Sequence, residues 1–132
     1  MRRSPAKTED KIINTPSQPK RVLVVEDDML VAMLIEEMLI DLGYVVVGMA
    51  MRLEQGLAAA RVVDADVAIL DVNLDGKESF PIAEVLKSRN LPFFFATGYG
   101  SKGLNPAFEG TLTLNKPFQT DELKAAFEAV CP

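Results

Sequence analysis

After a polar opening stretch, residues 1–20, the chain alternates short apolar runs with longer segments of helical periodicity. Val22-Leu23-Val24-Val25 is apolar at every position and halts at Glu26-Asp27-Asp28. A strand with no polar face suits a parallel sheet covered by helices on both sides. Asp28 is placed to cap the helix that follows. In that helix Leu30, Leu34, Met38 and Leu42 recur at helical spacing, and Gly43 is a natural stop.

The same alternation continues. Val45-Val46-Val47 reads as a second strand, with Leu53, Leu57 and Ala60 on one face of the next helix. Val67-Ala68-Ile69-Leu70 is a third strand ending at Asp71, before a helix carrying Phe80, Ala83 and Leu86. Phe93-Phe94-Phe95-Ala96 makes a fourth strand and Thr111 to Leu114 a fifth; a last helix opens at Thr120-Asp121-Glu122 and carries Leu123, Phe127 and Val130. Strands joined by helical crossovers predict a doubly wound α/β domain with a five-stranded parallel sheet. One helix is out of place: residues 98–110 hold Gly98, Gly100, Gly103, Gly110 and Pro106, so the helix after the fourth strand should be short or missing.

Composition narrows the picture. With 132 residues, 48% of them apolar, the chain has room for one domain, expected over 21–132, behind a flexible tail of residues 1–20. The apolar runs fall short of the ~20 residues a membrane-spanning helix needs, and the basic N-terminus lacks the apolar stretch of a secretory signal. The sole cysteine, Cys131, fits a reducing compartment, so a soluble cytoplasmic protein is expected. The tail holds five basic and two acidic side chains, so the net charge of −5 leaves −8 for residues 21–132. Such a domain repels nucleic-acid phosphates, and no direct nucleic-acid binding is expected. The tail is read as solvated, with contact to an acidic partner as the other reading.

The absence of histidine excludes Ser-His-Asp and Cys-His catalysis and His-bearing zinc sites. The remaining chemistry belongs to carboxylates, hydroxyls and lysine, and any metal site must use oxygen ligands, as Mg²⁺, Ca²⁺ or Mn²⁺ prefer. In open parallel sheets, ligands bind beyond the C-terminal strand ends where strand order reverses. Glu26, Asp27 and Asp28 follow the first strand, Asp71 ends the third, Thr97 the fourth and Lys116 the fifth. Gathered carboxylates repel unless a divalent cation relieves them, so Asn at Asp27 or Asp71 should stabilise the metal-free protein. Asp71 has the character of a nucleophile forming an acyl phosphate, with Lys116 and Thr97 opposite the metal.

The motifs VLVVEDD, AILDVNLDG, FATGYG and NKPF, in that order, resemble the response regulator receiver family over roughly residues 21–131. That resemblance implies a flavodoxin-like fold in which Asp71 accepts a phosphoryl group with Mg²⁺, as part of a histidine–aspartate phosphorelay. It implies Asp27 as direct metal ligand, Glu26 acting through water, and the backbone carbonyl of Asn73 completing the shell. Thr97 would be the switch hydroxyl, Lys116 the phosphoryl-contacting lysine, and Lys116-Pro117 a cis peptide. Thr113 stands where the family usually has an aromatic switch residue, and Phe95-Ala96-Thr97-Gly98-Tyr99-Gly100 resembles the FATGUY subgroup of bacterial receivers. The resemblance implies a sensor histidine kinase, of the HWE class among others, or a histidine phosphotransfer protein as donor. It also implies a downstream protein partner and no turnover of an external substrate.

Other readings weigh less. Asp71-Val72-Asn73-Leu74-Asp75-Gly76 fits the first half of an EF-hand loop, but position twelve is Ile82 and a strand precedes it. A phosphatase of the haloacid dehalogenase type needs a second Asp where Asn73 stands. A receiver-like module that is never phosphorylated is the remaining alternative. With no ring at Thr113, residues 98–110 are the expected switch, presenting Tyr99, Leu104 and Phe108 to a partner. No output domain is expected after the last helix.

Overall fold

The computed structural model describes residues 19–98 and 105–131. The bulk of the expected tail, and Tyr99 and Leu104 of the expected switch, lie outside the described residues. The elements run β1 Arg21–Val25, α1 Met29–Asp41, β2 Val45–Ala50, α2 Leu53–Val62 and β3 Val67–Asp71. They continue with β4 Asn73–Leu74, β5 Lys77–Glu78, α3 Phe80–Ser88, β6 Phe93–Thr97, β7 Thr113–Asn115 and α4 Thr120–Val130. Five strands form one parallel sheet in the order β2-β1-β3-β6-β7. This is the doubly wound, flavodoxin-like arrangement the alternation predicts.

Apolar runs become two cores because successive strand residues point to opposite faces. Leu23, Val25, Ala68, Leu70 and Phe95 pack on one face with Ala60 of α2 and Ile82, Ala83 and Leu86 of α3. Val22, Val24, Val67, Ile69 and Phe94 pack on the other with Ile35 and Leu39 of α1 and Leu123 and Phe127 of α4. Burying each such large side chain contributes about 1.5–3 kcal/mol. The caps follow the sequence: Asp28 Oδ1 accepts from the amides of Leu30 and Val31 at 3.0 and 3.3 Å, and Gly43 adopts φ +83°.

Four expectations change. The buried face of α1 is Ala32, Ile35 and Leu39, while Leu30 and Leu34 are exposed at 73% and 55%. Met29, Met33 and Ile40 are exposed as well. The segment MLVAMLI is apolar all round, so periodicity cannot choose a face; the small Ala32 lets the helix settle onto the sheet. The fifth strand starts two residues later than predicted, at Thr113. A two-stranded hairpin, β4–β5, intervenes between β3 and α3. As expected of this glycine-rich stretch, the described residues between β6 and β7 hold a 3-10 turn at Pro106–Phe108 and no regular helix. Phe108 is not a surface residue: it is 3% exposed, stacked on Phe80 at 5.5 Å and edge-on to Phe95 at 5.7 Å.

Candidate functional site

The chain leaves β1 for β2 on one side and returns to β3 on the other, so the strand order reverses between β1 and β3. Val25 pairs with Leu70, which sets Glu26 level with Asp71 at the C-terminal edge. Asp71 pairs with Ala96, and Thr97 with Asn115, so Thr97 and Lys116 follow on the next two strands. The Lys116 amide donates to the Thr97 carbonyl at 2.9 Å, and the Lys116–Pro117 peptide is cis. Sheet register alone thus gathers residues from four strand ends.

Ligand atoms of Glu26, Asp27 and Asp71 lie within 4.8 Å of one another. Lys116 Nζ reaches into this group, donating to Glu26 Oε1 at 2.6 Å and to Asp71 Oδ2 at 3.1 Å. The other Glu26 oxygen accepts from the Asp28 amide at 3.1 Å. Glu26 is 1% exposed, Asp71 7% and Thr97 2%, whereas Asp27 is only partly buried. A carboxylate so withdrawn from water favours its neutral form. Burial pushes Glu26 up to about 7, with the Lys116 hydrogen bond pulling the other way. Burial likewise raises Asp71, against the attraction of Lys116. Burial opposes the Lys116 charge, but Glu26 and Asp71 overcome it and hold the ammonium above its ordinary value.

Asp27 behaves differently. Burial works to raise it, but hydrogen bonds, first that of the Asp75 amide, outweigh burial and hold it below the usual carboxylate range. The Asp75 N–H donates to Asp27 Oδ2 at 2.9 Å. That bond favours the ionised form of Asp27 and works against the repulsion expected of its charge in the metal-free protein. Asn73 sits at the exposed start of β4, its amide 3.4 Å from Asp71 Oδ1 and its side-chain oxygen accepting from the Gly76 amide at 2.8 Å. Thr113 pairs with Phe95 and its hydroxyl donates to the Thr111 carbonyl at 3.2 Å. Sequence reasoning missed the hairpin and its hold on Asp27. The signal was the Asp75-Gly76 dipeptide, a hairpin-turn pair that also fits a calcium loop.

A buried acidic edge crossed by one lysine, at the strand-order reversal of a doubly wound sheet, defines a class: α/β domains with a charged site at the C-terminal strand ends. The family follows from comparison with known proteins. The response regulator receiver domain matches residues 22–128, and the chain belongs to that family. It is 31% identical over 114 residues to the transcriptional regulatory protein PdtaR of Mycobacterium tuberculosis, covering 83% of this chain and 56% of that protein. The chain thus spans about half the length of this curated relative. The solution structure of SdrG from Sphingomonas melonis Fr1 superposes with a TM-score of 0.77 at 38% identity, covering 86% of this chain and 98% of that one. The BeF3-activated conformation of SdrG gives 0.71 at 39%, covering 83% and 93%. The receiver domain of the sensor histidine kinase PA1611 from Pseudomonas aeruginosa shares the fold at 22% identity, with a TM-score of 0.72 over 86% of this chain and 98% of that domain; that protein coordinates magnesium in its active-site cleft.

Proposed function

We propose that this domain accepts a phosphoryl group on Asp71 from a phosphohistidine donor and switches a partner interaction in response. The observation that carries the reading is Lys116, held between Glu26 and Asp71 at the point where strand order reverses. In the transfer, the donor N–P bond breaks, its electron pair stays on the imidazole nitrogen, and an Asp71 oxygen forms the new P–O bond. Lys116 would hold a phosphoryl oxygen, and the Thr97 hydroxyl another, because stabilising the transferring charge is where such catalysis originates.

The donor set fits Mg²⁺, which prefers one or two carboxylates with water. When bound, the ion would neutralise charge on the transferring group and on the acidic edge. Asp27 is the accessible, ionised ligand. Both Glu26 oxygens are already engaged, by Lys116 and the Asp28 amide, which supports a role through water. Asp71 and the Asn73 carbonyl complete the proposed shell.

A sensor histidine kinase, of the HWE class or another, or a histidine phosphotransfer protein is the proposed donor. The exposed Met29, Leu30, Met33 and Leu34 on α1 support a protein partner, since clustered apolar surface marks interaction sites. We place the protein in the cytoplasm, with residues 1–20 a tail to a receiver domain over 21–132; no described helix is long and apolar enough to cross a membrane. The test is fluorine NMR of the protein with Mg²⁺ and beryllofluoride, alongside intact mass with a small phosphodonor. Both should report modification in the wild type and none in Asp71→Asn; equal modification of the variant overturns the assignment.

A further inference from the structure

The hairpin β4–β5 lies between Asp71 and the helix α3, and its turn is an acidic-glycine pair that the proposed chemistry leaves unused. Its turn is formed by Asp75 at φ +54° and Gly76 at φ +86°. Two successive residues with positive φ are the signature of a type I′ turn, the geometry that matches the twist of a two-residue hairpin. Leu74, 1% exposed, anchors the hairpin in the core below, and the Asn73 side-chain oxygen cinches the turn through the Gly76 amide at 2.8 Å. That cinch leaves the Asp75 amide pointing away from the hairpin. It donates at 2.9 Å to Asp27 Oδ2, across 48 residues of chain, in the loop between β1 and α1.

We propose that the Asp75–Gly76 turn is a positioning element for Asp27, holding one carboxylate oxygen so that the group meets a cation in a single orientation. The inference rests on the Mg²⁺-dependent reading above and assigns the turn no contact with the cation. It follows from the general behaviour of metal ligands, whose orientation is set by the hydrogen bonds their remaining atoms make. An Asp27 free to rotate would spend entropy on each binding event; the amide removes that cost beforehand. The same bond ties the loop after β1 to the loop after β3, so the two sides of the site move together.

Gly76 gives a clean test. A Cβ added there meets nothing within 4 Å, so Gly76→Ala introduces no clash, yet φ +86° is a conformation alanine resists. Asn tolerates positive φ, so Gly76→Asn is the conservative rescue. Calorimetric titration with MgCl₂, at a temperature where circular dichroism shows every variant folded, should give a dissociation constant roughly ten-fold weaker for Gly76→Ala. Gly76→Asn should stay close to wild type. A merely structural role would lower the melting temperature in EDTA and leave the Mg²⁺ affinity of the folded protein unchanged, which overturns the proposal. Hydrogen exchange gives a second reading that needs no change in the turn. In Asp27→Ala the Asp75 amide should lose protection while the Gly76 amide keeps it; equal protection of Asp75 in both proteins overturns the proposal. A wild type that binds neither Mg²⁺ nor beryllofluoride overturns the reading beneath it as well.

Discussion

Lys116 pairs more closely with Glu26, at 2.6 Å, than with Asp71, at 3.1 Å. The lysine therefore neutralises the most deeply buried carboxylate of the site first. Asp71 keeps the longer contact and the weaker hold, which accords with its proposed role as phosphoryl acceptor.

Glu26 makes the metal-free protein sensitive to pH. Its carboxyl is raised from an ordinary 4.5 to about 7 in the folded state. The folded protein binds the proton more tightly, so this contribution to stability is fully present below about 4.5 and lost as pH rises through about 7. Urea melts in EDTA should show stability falling between pH 5 and pH 8, by on the order of 2–3 kcal/mol. Glu26→Gln should flatten that slope; an unchanged slope assigns the dependence elsewhere.

Lys116→Ala should be costly without metal and cheaper with it. Removing the ammonium leaves two buried carboxylates without their counter-charge, which destabilises by roughly 3 kcal/mol for a buried pair that loses one partner. At pH 8 the deficit should shrink in millimolar MgCl₂, because a bound cation restores positive charge to the same oxygens. Parallel denaturation in EDTA and MgCl₂ reads this directly, and equal deficits in both would mean that the cation and Lys116 serve different groups.

Phe108 anchors the segment between β6 and β7. It stacks on Phe80, meets Phe95 and Phe93 edge-on, and carries Lys87 Nζ 5.9 Å above its ring. Phe108→Ala should cost about 3–5 kcal/mol by opening a cavity in the α2–α3 core. Chemical denaturation at pH 7 measures it. A loss under about 0.5 kcal/mol, the range of surface substitutions, would return this ring to the surface.

Much of the fold is local in origin and could be read from the chain. Runs apolar at every position, such as Val22–Val25 and Val67–Leu70, have no face to show water and require a sheet covered on both sides. Polar residues at the ends of those runs mark the sheet edge, and Asp28 and Gly43 are explained by cap chemistry within a few residues. The strand-end residues Glu26, Asp27, Asp71, Thr97 and Lys116 were legible for the same reason, since parallel crossovers must bring such ends to one edge. Tertiary structure alone decided the rest. Which face of α1 is buried depended on the fit of Ala32, Ile35 and Leu39 to the sheet, because its sequence is apolar on every side. Phe108 sits in a glycine-rich stretch that reads as surface, and three rings from α3 and β6 bury it. The division of charge among Glu26, Asp27 and Asp71 follows first from how deeply each is buried and then from Lys116 and the Asp75 amide. Those partners lie 45 to 90 residues away in sequence, and burial sets how strongly each is felt.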